Sequence, residues 1–257
     1  MLEFQSISKV YNPGTIHETV LFQDFNLQIE DNSFVTVVGS NGSGKTSMLN
    51  ILCGSIPVES GRILIGGQDM TKMKEFKRYR RMGRVYQDPA KGTCPTMTIL
   101  ENLSMADNKG KPFGLTRGTD KRRIAAYQEM LSPLGLGLED KLGVPVGNLS
   151  GGQRQTLALL MATMNPIDFL ILDEHTAALD PKTAEIVMQL TDKIVREKKL
   201  TTLMVTHNLR HAVEYGDRLL MMHQGQIVLD KGGNEKRTTQ VDDLLSIFNS
   251  ISIECGN

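Results

Sequence analysis

The stretch "GSNGSGKTS" at 39–47 has the spacing of a phosphate-binding loop, with Gly39, Gly44, Lys45 and Thr46 at the defining positions. Its backbone amides can wrap a phosphate chain, Lys45 can bridge the β and γ phosphates, and the Thr46 hydroxyl can ligate Mg²⁺. Gly39, Ser40, Asn41, Gly42, Ser43, Gly44, Lys45, Thr46 and Ser47 are therefore the candidate nucleotide-binding segment. The plainer alternative is a glycine-rich turn from strand to helix. A buried run, "FVTVVG", precedes the loop and a helical pattern over 44–53 follows it, which favours the phosphate loop.

A second cluster supports the first. "FLILDE" at 169–174 ends an apolar strand with two carboxylates, where an open α/β sheet presents its ligand crevice. Asp173 suits a direct or water-mediated Mg²⁺ contact and Glu174 suits polarising an attacking water. Acids at a strand end are also commonly just solvated. His207 follows another apolar run, "LMVT", although a lone histidine is more often structural or solvated than catalytic. The amide of Gln87, after "RVY", can hold Mg²⁺ or a water while staying neutral. Tyr11 is either an ordinary strand aromatic or a flat face for a purine, and the sequence does not choose.

One further stretch, "NLSGGQRQTLALLMATM" at 148–164, places Ser150, Gly151 and Gly152 ahead of an amphipathic helix running from Gln153, with Leu157, Leu160, Met161 and Met164 as its apolar stripe. A hydroxyl and two glycines at a helix N-terminus make a site for an anion.

Several elements must position these residues. "LEFQSISKVY" and "ETVLFQDFNLQIE" alternate as antiparallel strands do, "SGRILIGGQ" reads as a short strand, and so does "RVYQ" at 84–87. From Asp88 to Pro166 strands disappear, and helical patterns at 98–107, 119–132 and 152–164 alternate with loops rich in Gly and Pro. "FLILD", "TTLMVT" and "DRLLMM" then read as buried parallel strands. Between the first two, residues 180–199 form a helix with Asp180 as candidate N-cap and Pro181 at its first position, implying a right-handed crossover. The expected organisation is one α/β domain: a core and antiparallel β part over 1–87 and 166–257, interrupted by a helical subdomain over 88–165.

Composition bounds the partners. The 257 residues are 40% hydrophobic, enough to fill an ordinary core, and read as a soluble globular protein. Twenty-nine basic and twenty-nine acidic residues cancel, so no global field draws the chain to nucleic acid or anionic lipid. Cys53, Cys94 and Cys255 are odd in number and far apart, which argues against a disulfide framework and fits a reducing cytosol. The N-terminus does not read as a signal peptide. No stretch reaches the roughly 20 apolar residues of a membrane span, so a membrane role must come from a partner.

In order, "GSNGSGKT", "YQDP", "LSGGQ", "LILDE", "AALD" and "VTH" resemble the ATP-binding cassette family of transport ATPases, from Tyr11 to about Gly233. The resemblance implies a phosphate-loop NTPase core with a mixed sheet, an N-terminal antiparallel β part and an inserted α-helical subdomain, with ATP and Mg²⁺ as ligands. It implies Tyr11 as the adenine-stacking aromatic, Gln87 as the loop glutamine that touches Mg²⁺ and senses the membrane subunit, and Asp173 as the metal-side acid. It makes Glu174 the catalytic glutamate, Asp180 the inter-subunit aspartate and His207 the γ-phosphate switch. The signature Ser150, Gly151, Gly152 and Gln153 would bind the γ-phosphate of ATP held by a second cassette, in a head-to-tail dimer with two ATP molecules at the interface. His175 stands where the family usually has Pro, and Ala178 where Ser is frequent.

The resemblance leads to an ATPase subunit powering transport through a separate membrane subunit, at the cytoplasmic face of the membrane, as a homodimer. "DPAKGTCPTMTILENLSMA" and "DEHTAALDPKTA" are similar to importer cassettes that work with lipoprotein-type solute-binding proteins, some of them associated with aromatic amino acids. A subunit of an exporter or lipoprotein-release system is the alternative. A DNA-repair cassette would carry a coiled-coil insertion, a ribosomal one two cassettes, and a phosphate-loop kinase would leave "LSGGQ" unexplained. Soon after Phe248 the chain ends, which leaves no expected regulatory domain.

Overall fold

The computed structural model describes residues 1–111 and 118–254; Cys255 and residues 112–117 of the helical stretch lie outside them. Two compact units emerge, Met1–Tyr79 with Val195–Asn257, and Arg80–Ile194. The second unit holds the helical stretch together with the strands at 82–85 and 169–173, which pair with each other, and residues 181–194 of a long helix.

In the first unit, β1 (Leu2–Tyr11), β2 (Thr19–Ile29), β4 (Ser60–Ile65) and β5 (Gln68–Asp69) form an antiparallel sheet in the order β2-β1-β4-β5. Strict alternation along "LEFQSIS" would aim Ser6 and Ser8 inward after Leu2 and Phe4. A register shift between Phe4 and Ile7 prevents this, with Ser6 at φ 50°, Asp24 at φ 55° and the Ser6 amide donating to Asn26 Oδ1 at 2.8 Å. The bulge changes the parity of the strand, so Leu2, Phe4 and Ile7 are all buried.

A second sheet centres on β3 (Phe34–Gly39), whose six residues are all buried. It lies parallel between β8 (Thr201–Val205) and β9 (Arg218–His223), and β10 (Gln226–Gly232) runs antiparallel to β9. The polar Thr36 is accommodated inside β3 because its hydroxyl donates to Ala212 O at 3.0 Å. Helices α1 (Lys45–Cys53), α2 (Glu75–Arg78), α7 (Leu209–Glu214), α8 (Gly233–Thr238) and α9 (Val241–Glu254) complete the unit. Ala212 of α7 and Leu244 of α9 are buried with Val38, Leu219 and Met221 of the sheet.

In the second unit β6 (Met82–Val85) pairs in parallel with β7 (Phe169–Asp173), from Met82 opposite Phe169 to Val85 opposite Leu172. The strand therefore begins two residues earlier than "RVYQ" suggested. Helices α3 (Ile99–Asp107), α5 (Gly151–Thr163) and α6 (Pro181–Glu197, of which 181–194 lie in this unit) follow the sequence patterns to within about two residues, whereas α4 (Ile124–Leu131) starts five residues later than the pattern at 119–132, behind a 3-10 turn at Lys121–Arg123. Between 88 and 165 no strand occurs among the described residues, only an isolated bridge between Thr98 and Pro145. A reciprocal capping box of Thr98 and Glu101 starts α3, and the fully buried Asn102 ties α3 back to the preceding loop through Cys94 N and O and Thr98 O. At its other end, Asp107 accepts from the buried Tyr127 hydroxyl of α4 at 3.1 Å.

The expectation for α5 needs one correction. Instead of presenting a single apolar stripe, it buries Gln155, Thr156, Leu157, Ala158, Leu159 and Leu160 in succession, while Met161 is only half-buried. A helix enclosed on most sides has no need of a polar face.

Candidate functional site

In the first unit the phosphate loop leaves the C-terminal end of β3 and enters α1, the strand-to-helix turn that the sequence demanded. Gly42 and Gly44 have φ 78° and 103°, and a Cβ on Gly39 would lie 2.3 Å from Met222 O, so the loop's shape requires glycine at these places. Lys45 is 5% exposed, and its Nζ donates to Gly39 O at 2.8 Å and Ser40 O at 2.9 Å, which fixes the ammonium inside the loop. Tyr11, at the end of β1, donates its hydroxyl to Ser47 Oγ at 3.1 Å. That contact ties the aromatic, still paired with Thr19 in the sheet, to the first turn of α1 beside the loop.

His207 is exposed two residues beyond Val205, the last residue of β8, and Val205 pairs with Val37 of β3. Parallel neighbours end on the same side, so the phosphate loop and His207 share the carboxyl edge of one sheet. The end of β9 joins them. His223 Nδ1 stands 3.5 Å from Ser40 Oγ, and the Gly225 amide donates to Ser43 O at 3.0 Å. Sequence reasoning missed both residues; the turn signal in "HQGQ" was their only trace.

In the second unit the same rule brings Asp173, Glu174 and Gln87 to one edge, because β6 and β7 are parallel and Val85 is opposite Leu172. Asp173 Oδ2 accepts from Arg84 Nη2 at 2.6 Å, in a pair whose side chains are 7% and 15% exposed. Glu174 is half-buried, at φ 50°, in the turn that leaves β7. Gln87 is exposed. His175, in place of the usual Pro, is 2% exposed, with Nε2 3.1 Å from Thr191 Oγ1. The Thr191 hydroxyl spends its proton on Val187 O, so it accepts from His175 Nε2–H and anchors the turn to α6.

The signature opens α5. Ser150 Oγ accepts from the Gln153 amide and Gln153 Oε1 accepts from the Ser150 amide, a reciprocal cap that leaves the amides of Gly151 and Gly152 with no acceptor inside the helix. These are the groups an anion can use. Gly152 has a second role that sequence did not reveal: a Cβ there would lie 2.3 Å from Thr183 Cγ2, so the signature packs on the start of α6. Asp180 caps that helix, with Oδ1 accepting from Thr183 N at 3.1 Å. The Thr183 hydroxyl and amide hold its carboxyl below the ordinary aspartate value, so it stays ionised beside the signature.

The chain is similar to known proteins in sequence and in fold. The family model described as "ABC transporter" matches residues 22–177. A tyrosine transport ATP-binding protein of Clostridioides difficile (strain R20291) is 46% identical over 248 residues, covering 96% of this chain and 98% of that protein. A phosphonates import ATP-binding protein, PhnC, of Lactococcus lactis subsp. cremoris (strain SK11) is 33% identical over 251 residues, with 95% and 97% covered. Among solved structures, the dimeric post-hydrolysis state of the ATP-binding cassette MJ0796 bound to ADP and Pi superimposes with a TM-score of 0.74 at 29% identity, covering 90% of this chain and 98% of that one. The ADP conformation of the cassette MJ1267 has the same fold, with a TM-score of 0.79 at 23% identity over 100% and 99% of the chains. The family model over residues 22–177 and the 46% identity along nearly the whole of both chains show that the chain belongs to the ABC transporter family, as an ATP-binding cassette ATPase.

Proposed function

We propose that this chain energises the uptake of a small solute, an aromatic amino acid of the tyrosine type, through a separate membrane subunit, with a solute-binding protein delivering the cargo. The observation that carries the reading is the 46% identity to a tyrosine transport ATP-binding protein along nearly the full length of both chains. By likeness to transport ATP-binding proteins, this reading places the chain peripherally, at the cytoplasmic face, with its partner crossing the membrane; among the described residues no helix is long and apolar enough to cross one.

In this reading Gly39 to Ser47 bind the phosphates of ATP, Lys45 neutralises them, and Tyr11 stacks on the adenine. Glu174 polarises the attacking water and His207 contacts the γ-phosphate. Thr46, Gln87 and Asp173 present hydroxyl, amide and carboxylate oxygens, the hard donors Mg²⁺ takes, and the loop that ends in Lys45 already has the form of an anion cradle. The ion would supply charge neutralisation at the β and γ phosphates. Ser150, Gly151, Gly152 and Gln153, with Asp180 nearby, serve the ATP of a second copy of the chain. The helical stretch 88–165, entered just after Gln87 and stiffened at 94–102 by Asn102, is the part that meets the membrane subunit.

Uptake of radiolabelled tyrosine tests the assignment in cells making this chain with its membrane and solute-binding partners. Omitting the chain, or supplying it as Glu174→Gln, should reduce uptake at least tenfold. Tyrosine uptake that proceeds unchanged in both cases would refute the proposed cargo and direction.

A further inference from the structure

Arg84 belongs to no motif, yet it is the residue that holds Asp173. Its guanidinium is nearly buried, donates to Asp173 Oδ2 at 2.6 Å, and lies with Cζ 4.7 Å from the centre of the Tyr86 ring. A guanidinium suits both contacts, because it carries several donors for a carboxylate and can also lie against an aromatic ring. Tyr86 immediately precedes Gln87, and its carbonyl accepts from Gln155 Nε2 at 2.9 Å. Gln155 is 1% exposed in α5, two residues past the Gln153 of the signature cap. Asp173, Gln87 and the signature helix are therefore joined through Tyr86 and through two residues that the motifs do not include, Arg84 and Gln155.

A buried ion pair is weak as a source of stability, since desolvation cancels most of the attraction. Its effect on a carboxylate that serves a second cation is large. A fixed positive charge at one oxygen lowers the affinity of the other for a metal and at the same time fixes its direction.

We infer that Arg84 is a positioning residue for Asp173: it orients the carboxylate, moderates its affinity for Mg²⁺, and ties it through Tyr86 to the backbone of Gln87. This rests on the reading of Asp173 as the metal-side acid.

Binding of trinitrophenyl-ATP to the purified full-length chain tests it, first in EDTA and then across a Mg²⁺ titration, for wild type, Asp173→Asn, Arg84→Met, Arg84→Gln, Arg84→Lys and Tyr86→Leu. In EDTA all should bind within about twofold of wild type. Mg²⁺ should raise the affinity of wild type and not of Asp173→Asn. In Arg84→Met, and in the hydrogen-bonding but neutral Arg84→Gln should Arg84→Met fail to fold, the half-saturating Mg²⁺ concentration should fall at least threefold while kcat falls at least fivefold. Arg84→Lys keeps the charge and loses the stacking, so its Mg²⁺ midpoint should stay within twofold of wild type while kcat drops; Tyr86→Leu should match it. A purely structural role would lower the active fraction and leave the midpoint in place. Unshifted or raised midpoints in the neutral variants, with the Mg²⁺ response lost in Asp173→Asn, overturn the role of Arg84 alone. A Mg²⁺ response that survives in Asp173→Asn overturns the reading of Asp173 and this inference with it.

Discussion

Lys45→Ala lowers the affinity for ATP at least 100-fold, as titration calorimetry on the purified chain will measure. Lys45 is almost fully buried and its ammonium is fixed inside the loop by Gly39 O and Ser40 O, so the charge is already aimed at the space the loop encloses. A hydrogen bond to a charged group contributes about 1.5–3 kcal/mol, and a 100-fold loss corresponds to about 2.7 kcal/mol. Alanine also leaves those two carbonyls without their donor, which turns the loop's own dipoles against an anion. Gly39, Gly42 and Gly44 keep the backbone shape, so the fold should survive with an unchanged circular dichroism spectrum. Undiminished affinity would remove the phosphate-loop assignment.

Glu174→Gln should leave ATP binding intact and slow hydrolysis at least 100-fold. The amide preserves the size and the hydrogen-bonding reach of the side chain, which projects from a turn at φ 50° that is anchored by the buried His175. What it loses is basicity, and general-base assistance typically contributes a factor of about 10² to 10⁴. With the chemical step blocked, ATP-bound pairs should accumulate and elute as dimers in gel filtration with ATP and Mg²⁺. Hydrolysis within tenfold of wild type would assign the base to another residue.

The parts of this molecule legible in sequence were those whose cause is local. Ser150 and Gln153 cap α5 through contacts three residues apart, Asp180 caps α6 in the same way, and Gly42 and Gly44 serve the phosphate loop through their own positive φ. The illegible parts depend on residues distant in the chain. Arg84 and Asp173 are 89 positions apart, Tyr86 and Gln155 are 69, and no spacing rule connects either pair. The bulge at Ser6 is intermediate: the apolar residues at 2, 4 and 7 already break strict alternation, but its resolution needed Asn26 on the facing strand. For α5, periodicity picked a stripe where Leu159 and Ala158 are buried as well, because enclosure is set by neighbouring elements that a single helix pattern does not contain. Gly152 shows the same limit, since its need for close packing comes from Thr183 on another helix.

The central claim is that each ATP is served by the phosphate loop of one chain and the signature of another, and mixing two inactive chains tests it most directly. Lys45→Ala and Ser150→Arg should each hydrolyse almost no ATP alone, because every site in either homodimer carries one lesion. The arginine side chain fills the space before the Gly151 and Gly152 amides; it also removes the Ser150 cap, a loss of about 1 kcal/mol that the long, buried α5 tolerates. In a mixed dimer one site collects both lesions and the other collects none. Random pairing makes half of the dimers mixed, each with one sound site of two, so an equimolar mixture should recover about a quarter of wild-type hydrolysis when the sites act independently. Full activity in the Ser150→Arg chain alone, or a mixture as inactive as its components while labelled chains demonstrably pair, would contradict the shared site.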